Sequence, residues 1–213
     1  GPHLHFEIRD TKSEIPLNPM HFYKIWDNIA PGLHHLLIYS FDDSLKEIPD
    51  LEKNIKCTKY GNKYTIPKQI VHTDYIAFGV EAFDKVNGSN NICGLYSIKL
   101  FFDSALVNHI VLDSISFFKF HFLNSYVDYD NFLFKQQRLH QLFKKPNNQL
   151  EIYKVLKNNG IIDIDDHSEH QIKIVINDFN RNQTILEFKI QKSQTSKEKI
   201  SGLCKRKILY NKS

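Results

Sequence analysis

Two histidines one residue apart, His3 and His5, have the type and spacing that could support metal chemistry. They lie in HLHFEI, residues 3–8, where polar and apolar residues alternate as in a β-strand. Alternate strand residues share one face, so two imidazoles can bind one ion, or one can bind it while the other acts on the bound water. A catalytic zinc site needs three protein ligands and an open position. The spacing alone therefore fits a solvated strand face better than a metal site.

The residues around the two histidines carry a longer pattern. The stretch GPHLHFEIR, residues 1–9, closely resembles the second signature of the lysostaphin-like zinc endopeptidases, whose motif is approximately G-x-H-L-H-F-E-[IV]-R. PLNP, residues 16–19, is similar to the P-x-x-P segment in which that catalytic domain ends. The resemblance implies that His5 is a zinc ligand and that His3 is a catalytic histidine beside the metal.

The other two zinc ligands of that family belong to an H-x-x-x-D motif that comes before H-x-H. We therefore expect them upstream of this chain, and we expect residues 1–22 to be the C-terminal remnant of a zinc peptidase domain. One H-x-x-x-D string does occur, from His109 to Asp113, but it follows H-x-H and lacks the family's flanking glycines. Because it also lies in an apolar strand pattern, we interpret it as a coincidence.

Residues 27–191 show apolar segments of period two, separated by turns rich in Gly, Asn and Asp. This pattern predicts an all-β fold: an antiparallel immunoglobulin-like β-sandwich, preceded by the last strand of a β-rich peptidase domain. The strand candidates are residues 34–41, 63–67, 74–83, 94–103, 108–122, 149–156, 170–179 and 184–191. Helix signals are weak, and only residues 129–143 could form a short helix or, equally, a long loop. Residues 192–213 are predicted to be a basic polar tail.

The candidate strand at residues 108–122 makes a specific packing prediction. It ends in FKFHF, in which three rings alternate with two polar side chains. We expect Phe118, Phe120 and Phe122 to point into the core, with Lys119 and His121 pointing outward.

A second resemblance covers part of this β-rich region. The stretch FGVEAFDKVNGSNNICGLYSIKLFFD, residues 78–103, and LNSYVDYD, residues 123–130, resemble the immunoglobulin-like β-sandwich that follows the peptidase domain in some Bacteroidetes-type envelope proteins. The order of the two regions agrees with this resemblance.

Two other polar clusters contain side chains that could bind an ion. Residues 84–90, DKVNGSN, lack the alternating carboxylates and closing Glu of an EF-hand, so a hairpin or loop fits them better than a calcium site. An acidic connector that also contains histidine could bind a divalent ion, but a solvated turn explains it better. Its members are Asp163, Asp165, Asp166, His167 and His170.

The composition argues against two classes of function, nucleic-acid binding and membrane spanning. The net charge of +4 is too mild for a dedicated nucleic-acid surface, and no apolar run approaches the roughly 20 residues of a membrane span. Three cysteines in no zinc-binding spacing give no information about the compartment.

The resemblance implies the C-terminal fragment of a peptidoglycan-hydrolysing zinc endopeptidase in the periplasm or cell envelope of a bacterium. The β-sandwich would then be an accessory or binding domain, with peptidoglycan peptides or another envelope protein as its partner. We expect this chain by itself to have no peptidase activity. The alternatives are a non-catalytic envelope regulator of the same family, and a self-sufficient binding module.

Overall fold

The computed structural model describes residues 5–61 and 63–194, and β-strands make up most of its regular structure. His3 and the predicted tail beyond residue 194 lie outside the described residues. The strands are β1 (Ile8–Arg9), β2 (Pro16–Leu17), β3 (Gly32–Phe41), β4 (Lys53–Lys56), β5 (Thr58–Tyr60), β6 (Lys63–Thr65), β7 (Gln69–Val71), β8 (Tyr75–Phe83), β9 (Ser97–Phe102), β10 (Ala105–Val111), β11 (Leu139–Gln141), β12 (Tyr153–Leu156), β13 (Ile162–Asp163), β14 (Glu169–Asn177) and β15 (Gln183–Lys192).

Helical structure is short, as the sequence predicts. One α-helix, α1 (Tyr129–Lys135), occupies the first half of the segment predicted to be a helix or a loop. The 3₁₀ helices are Pro19–His21, Pro49–Leu51, Phe117–Ser125 and Asn158–Gly160. No helix in the described ranges is long and apolar enough to cross a membrane.

Two large sheets hold most of the strands. The first has the order β12-β10-β9-β14-β15-β6-β5, with β7 also paired to β15, and the second has the order β11-β8-β3-β4, with β13 paired to β8. All pairings are antiparallel except those of β15 with β6 and β7, which are parallel. The prediction of an all-β fold with antiparallel sheets is confirmed.

The main core lies between these two sheets. Apolar side chains at alternate positions of β3 and β8, such as Ile38 and Phe78, belong to the same buried cluster as those of β14 and β15, such as Ile174 and Phe188. The rings of Phe78 and Phe188 meet edge to face across the core, with their centroids 5.7 Å apart. Burial of these side chains is the main stabilising contribution to the fold.

Strand β3 is buried on its other face as well. Leu37, Tyr39 and Phe41 alternate with the core residues and form a second cluster with Leu139 and Phe143. The segment that contains β11 therefore covers the outer face of the second sheet, which explains why the apolar run in β3 is nearly continuous.

The packing prediction for residues 118–122 is wrong. These residues lie in a 3₁₀ helix rather than a strand; Phe118 is 89% exposed and Phe120 60%, and of the three rings only Phe122 packs partly against the core. The reason is that β10 pairs with β9 only as far as Val111, opposite Ser97 where β9 begins. Beyond that point an alternating segment has no partner strand to supply its backbone hydrogen bonds.

Candidate functional site

His5, the predicted zinc ligand, is exposed near the start of the described chain. Its side chain is 74% exposed, and its Nε2 atom lies 3.7 Å from Oε2 of Glu7. Glu7 in turn accepts a hydrogen bond from Nε of Arg9 at 2.8 Å, which lowers the pKa of the Glu7 carboxyl. His5 and Glu7 are thus neighbours, as their i, i+2 spacing predicts, although only Ile8 and Arg9 of the motif form a strand here.

The described residues do not assemble a zinc site around His5. The one set of three or more His, Cys, Asp or Glu side chains whose ligand atoms converge within residues 5–61 and 63–194 does not include it. Nor does that set include His109 or Asp113, the two ends of the H-x-x-x-D string. Asp113 instead faces Nε2 of His21 at 2.7 Å. His5 can therefore offer a metal one nitrogen ligand from the described part of the chain.

The segment that contains His5 is attached to one end of the sandwich. Strands β1 and β2 pair as a hairpin, Leu17 forms a β-bridge with Ser114, and the guanidinium of Arg9 lies 4.9 Å from the ring centroid of Phe117. The His21–Asp113 contact adds a polar link to the same end of the sandwich.

A cavity of about 590 Å³ lies between this N-terminal segment and the sandwich. Glu7 and Leu17 line it from the hairpin side, while Tyr96, Phe120 and Phe179 line it from the sandwich. Its volume lies within the usual range of small-molecule pockets. The cavity therefore lies between the segment that contains the H-x-H motif and the two large sheets.

Three aspartates meet at this cavity. Asp27, Asp84 and Asp178 all line it, and they are only 8%, 6% and 3% exposed. One carboxylate oxygen from each lies within 4.8 Å of those of the other two. The wall of a largely apolar cavity therefore contains a compact acidic cluster, named here the Asp cluster.

Each member of the Asp cluster comes from a turn at the same end of the sandwich. Asp27 precedes β3 and Asp84 follows β8; these strands are antiparallel, with Gly32 opposite Phe83, so the two turns must be adjacent. Asp178 follows β14 in the turn that leads to β15. The three residues converge because strands of both sheets end here.

Two of the three carboxylates accept hydrogen bonds from their own turn or from a neighbouring one. Oδ1 of Asp27 accepts from the backbone N–H groups of Asn87 and Ile29, at 3.1 and 3.2 Å. Asp178 accepts from Asn182, through the backbone N–H at 2.8 Å and through Nδ2 at 2.6 Å. These bonds hold both side chains in place.

Asp84 has a less complete set of partners. Its backbone pairs with Cys93 in both directions, at 3.0 and 2.8 Å, which fixes its position. Its Oδ1 atom, however, is buried and has no hydrogen-bond partner. Buried polar atoms are nearly always paired in folded proteins, so this atom needs an explanation.

The pKa values of two members of the Asp cluster are raised by their surroundings. Burial raises the pKa of Asp84 to about 6, against a backbone hydrogen bond from Lys85 and with a further increase from the negative charges of Asp178 and Asp27. Burial also raises the pKa of Asp178, against the hydrogen bonds from Asn182, and the nearby carboxylate of Asp27 raises it further. No ion pair within the described ranges involves any of the three carboxylates.

The acidic connector forms an ion pair rather than a metal site. His170 lies between Asp103 and Asp166, with ring nitrogen to carboxylate distances of 2.6 and 2.8 Å, and its ring stacks on Phe102. The two carboxylates face different nitrogens of the ring, and these three side chains are not a converging set of metal ligands in the described chain.

Sequence reasoning did not identify the Asp cluster. The sequence pattern indicates a hairpin or loop at residues 84–90, which contain Asp84, and Asp27 and Asp178 lie in other stretches of turn-forming residues. The available signal was that each aspartate directly borders a strand or lies a few residues before one, but the strand order is needed to show that the three turns meet.

No family model, curated protein or solved structure matches this chain.

Proposed function

We propose that this chain is the C-terminal part of a lysostaphin-like zinc endopeptidase of a bacterial envelope, in which residues 27–191 form an immunoglobulin-like accessory domain that holds substrate. Peptidoglycan peptides are the proposed substrate, and the periplasm or cell envelope is the proposed location. The resemblance of residues 1–9 to the peptidase signature supports the reaction class. The position of the cavity supports the role of the accessory domain.

One observation carries the proposal: the cavity extends from the sandwich to Glu7, a residue of the H-x-H-F-E motif. The Nε2 atom of His5 lies 3.7 Å from the carboxylate of Glu7, so a ligand in the cavity would lie close to the proposed metal-binding residue. Positioning a substrate beside the reacting centre is itself a large part of catalysis.

The apolar wall of the cavity suits a peptide. Phe117 and Phe120 are 51% and 60% exposed yet face the cavity, so a ligand could bury their rings. Exposed aromatic side chains around a concave site are typical of binding surfaces.

In this proposal the two histidines have different roles. His5 contributes one zinc ligand and His3 acts on the reaction beside the metal, while the remaining ligands come from an upstream H-x-x-x-D motif. The described residues supply one nitrogen ligand, so hydrolysis in this proposal requires the upstream ligands as well.

A second candidate is a non-catalytic envelope regulator or binding module that uses the same cavity. The observation that favours it is that the described residues form the cavity by themselves, whereas the zinc site of the first candidate needs ligands from outside them. The two candidates share ligand binding and differ in hydrolysis, so they can be separated experimentally.

Binding can be tested with Trp26, the single tryptophan of the chain, as the fluorescence probe. It is exposed and follows Ile25, which lines the cavity. Muropeptides from digested peptidoglycan should change its emission, and Phe120→Ala should weaken their binding by about tenfold or more. Phe118→Ala is the matched control, because Phe118 is exposed on the same 3₁₀ helix but does not line the cavity. Equal binding by both variants would contradict the proposed site.

Hydrolysis is tested in the intact protein. His5→Ala should remove both zinc and wall-digesting activity, whereas His3→Ala should keep zinc while the turnover rate falls by about 100-fold or more. Zinc content and digestion rates that neither substitution changes would favour the regulator or binding module.

A further inference from the structure

The Asp cluster has no counter-charge among the described residues. Three carboxylates lie more than nine-tenths buried within 4.8 Å of one another, and no lysine, arginine or histidine pairs with any of them in the described ranges. Buried charges in proteins are normally paired or bound to a metal. This arrangement is therefore incomplete as it stands.

A second observation points to a ligand. Oδ1 of Asp84 is buried, has no hydrogen-bond donor and belongs to a side chain held among the other two carboxylates. The turns that satisfy Asp27 and Asp178 with N–H groups provide no such partner for this atom. A cation would complete its interactions.

The donor set decides the class of cation. All three ligands are carboxylate oxygens, which hard cations prefer, while zinc sites are usually built from His and Cys. Ligands on opposite sides of a Ca²⁺ ion are about 4.8 Å apart, since Ca–O distances are about 2.4 Å. A spread of up to 4.8 Å between the oxygens therefore fits a calcium coordination shell.

We propose that Asp27, Asp84 and Asp178 bind one Ca²⁺ ion, which links the segment before β3 to the ends of β8 and β14. Strand β8 belongs to one large sheet and β14 to the other, so the ion joins both sheets to the N-terminal segment. It lies in the wall of the cavity and fixes the shape of that wall. This inference does not depend on the peptidase proposal, because it uses no residue of the H-x-H motif.

The competing explanation is a proton shared within the cluster instead of an ion. In that case Asp84 would be neutral and would donate a hydrogen bond to one of the other carboxylates. Both explanations remove the repulsion among the three carboxylates, but only the bound ion requires calcium.

The test uses the full 213-residue chain after treatment with EDTA. Calorimetric titration should show one Ca²⁺ per chain, and excess Ca²⁺ should raise Tm by about 5 °C. Mg²⁺ should bind more weakly. Tb³⁺ in place of Ca²⁺ should give luminescence sensitised by Trp26, which is next to Asp27 in the sequence.

Asp84→Asn is the decisive variant. It keeps the shape of the side chain and removes one charge, so Ca²⁺ affinity should fall by tenfold or more while the Tm of the calcium-free protein stays equal or rises. Asp163→Asn, an exposed member of the acidic connector, is the control for a general loss of negative charge and should bind Ca²⁺ like the unsubstituted chain.

Three results would overturn the proposal. They are the absence of calcium binding, calcium binding that Asp84→Asn leaves unchanged, and binding at this cluster of Zn²⁺ but not of Ca²⁺. Because Asp84→Asn is expected to fold at least as well as the unsubstituted chain without calcium, unfolding of that variant would also count against the proposal.

Discussion

Asp128 and Asp84 are buried to almost the same extent, with 5% and 6% of their surfaces exposed, but their surroundings are opposite. Asp128 precedes α1 and caps it, accepting from the backbone N–H of Asn131 at 3.0 Å. Its other oxygen accepts from the hydroxyl of Tyr39 at 2.7 Å and from Nδ2 of Asn131 at 2.8 Å. Asp84 instead keeps one oxygen without a donor.

The pKa values follow this difference. Burial favours a higher pKa at both residues, but at Asp128 the hydrogen bonds from Tyr39 and Asn131 outweigh burial, and the pKa is lowered. At Asp84 burial dominates and the pKa is raised to about 6. Burial of a carboxylate therefore does not by itself indicate a functional site. What distinguishes the Asp cluster is a group of buried carboxylates in which one oxygen of Asp84 has no hydrogen-bond donor.

The largest expected effect on stability comes from replacing Asp128, whose carboxylate accepts three hydrogen bonds. Asp128→Ala removes the helix cap and leaves the buried Tyr39 hydroxyl without its acceptor, so the free energy of unfolding should fall by about 3–4 kcal/mol. Urea unfolding at neutral pH measures this change. Asp130→Ala, an exposed carboxylate in the first turn of the same helix, should cost less than about 1 kcal/mol. Similar losses from both variants would contradict the structural role of Asp128.

The second prediction concerns the pH dependence of Asp84 in calcium-free protein. A carboxyl whose folded pKa is raised binds more protons in the folded state, so it destabilises the fold as pH rises through about 6. Asp84→Asn should therefore be more stable than the unsubstituted chain by about 1–3 kcal/mol at pH 7, with the difference vanishing near pH 4. Unfolding curves at several pH values in EDTA give the comparison. A constant difference at all pH values would show that Asp84 does not titrate as the geometry requires.

Asp128 should respond to pH in the opposite direction. Its lowered pKa stabilises the fold above the ordinary carboxyl pKa, and this contribution is lost as pH falls through the folded-state pKa. The two residues thus contribute to acid stability with opposite signs.

The sequence predicts much of this fold because the apolar alternation is local. Strands β3, β8, β14 and β15 lie where period-two patterns indicate. The pattern fails at Phe118, where the same alternation has no partner strand beyond Val111. Alternation describes which faces a strand would have, but pairing decides whether a strand forms.

The Asp cluster could not be predicted in the same way. Asp27, Asp84 and Asp178 are brought together by the pairing of β3 with β8 and by the packing of two sheets, both of which are long-range properties. The missing donor at Asp84 depends on the positions of single atoms. His5 shows the reverse case, because its motif is local and visible in the sequence while the described structure completes no site around it.

Asp103 and Asp166 extend the comparison to carboxylates that share a histidine partner, His170. Burial favours a lower pKa for this histidine, but the hydrogen bonds to Asp103 and Asp166 outweigh burial and raise it. The contacts of His170 with the two carboxylates therefore stabilise the fold below the ordinary histidine pKa. This contribution is lost as pH rises through the folded-state pKa of His170. His170→Gln should lower Tm by about 2 °C near pH 5.5 and have no effect near pH 8.5. Differential scanning fluorimetry at both pH values measures this, and an equal loss at both would mean that packing on Phe102 is what His170 contributes.

The smallest global effect is expected at Asp113, a partly exposed carboxylate whose partner is His21. Asp113→Ala should change the free energy of unfolding by no more than about 0.5 kcal/mol, because exposed ion pairs contribute little. Its effect should be local, since the His21–Asp113 contact helps to hold the N-terminal segment against the sandwich. Phe22, Tyr23 and Trp26 are exposed in the connection that follows, so chymotrypsin can report opening of this segment. Cleavage there should become about twofold faster in Asp113→Ala and stay unchanged in Asp163→Ala. If the rate does not change, other contacts, such as the Leu17–Ser114 bridge and the Arg9–Phe117 contact, are sufficient to hold the segment.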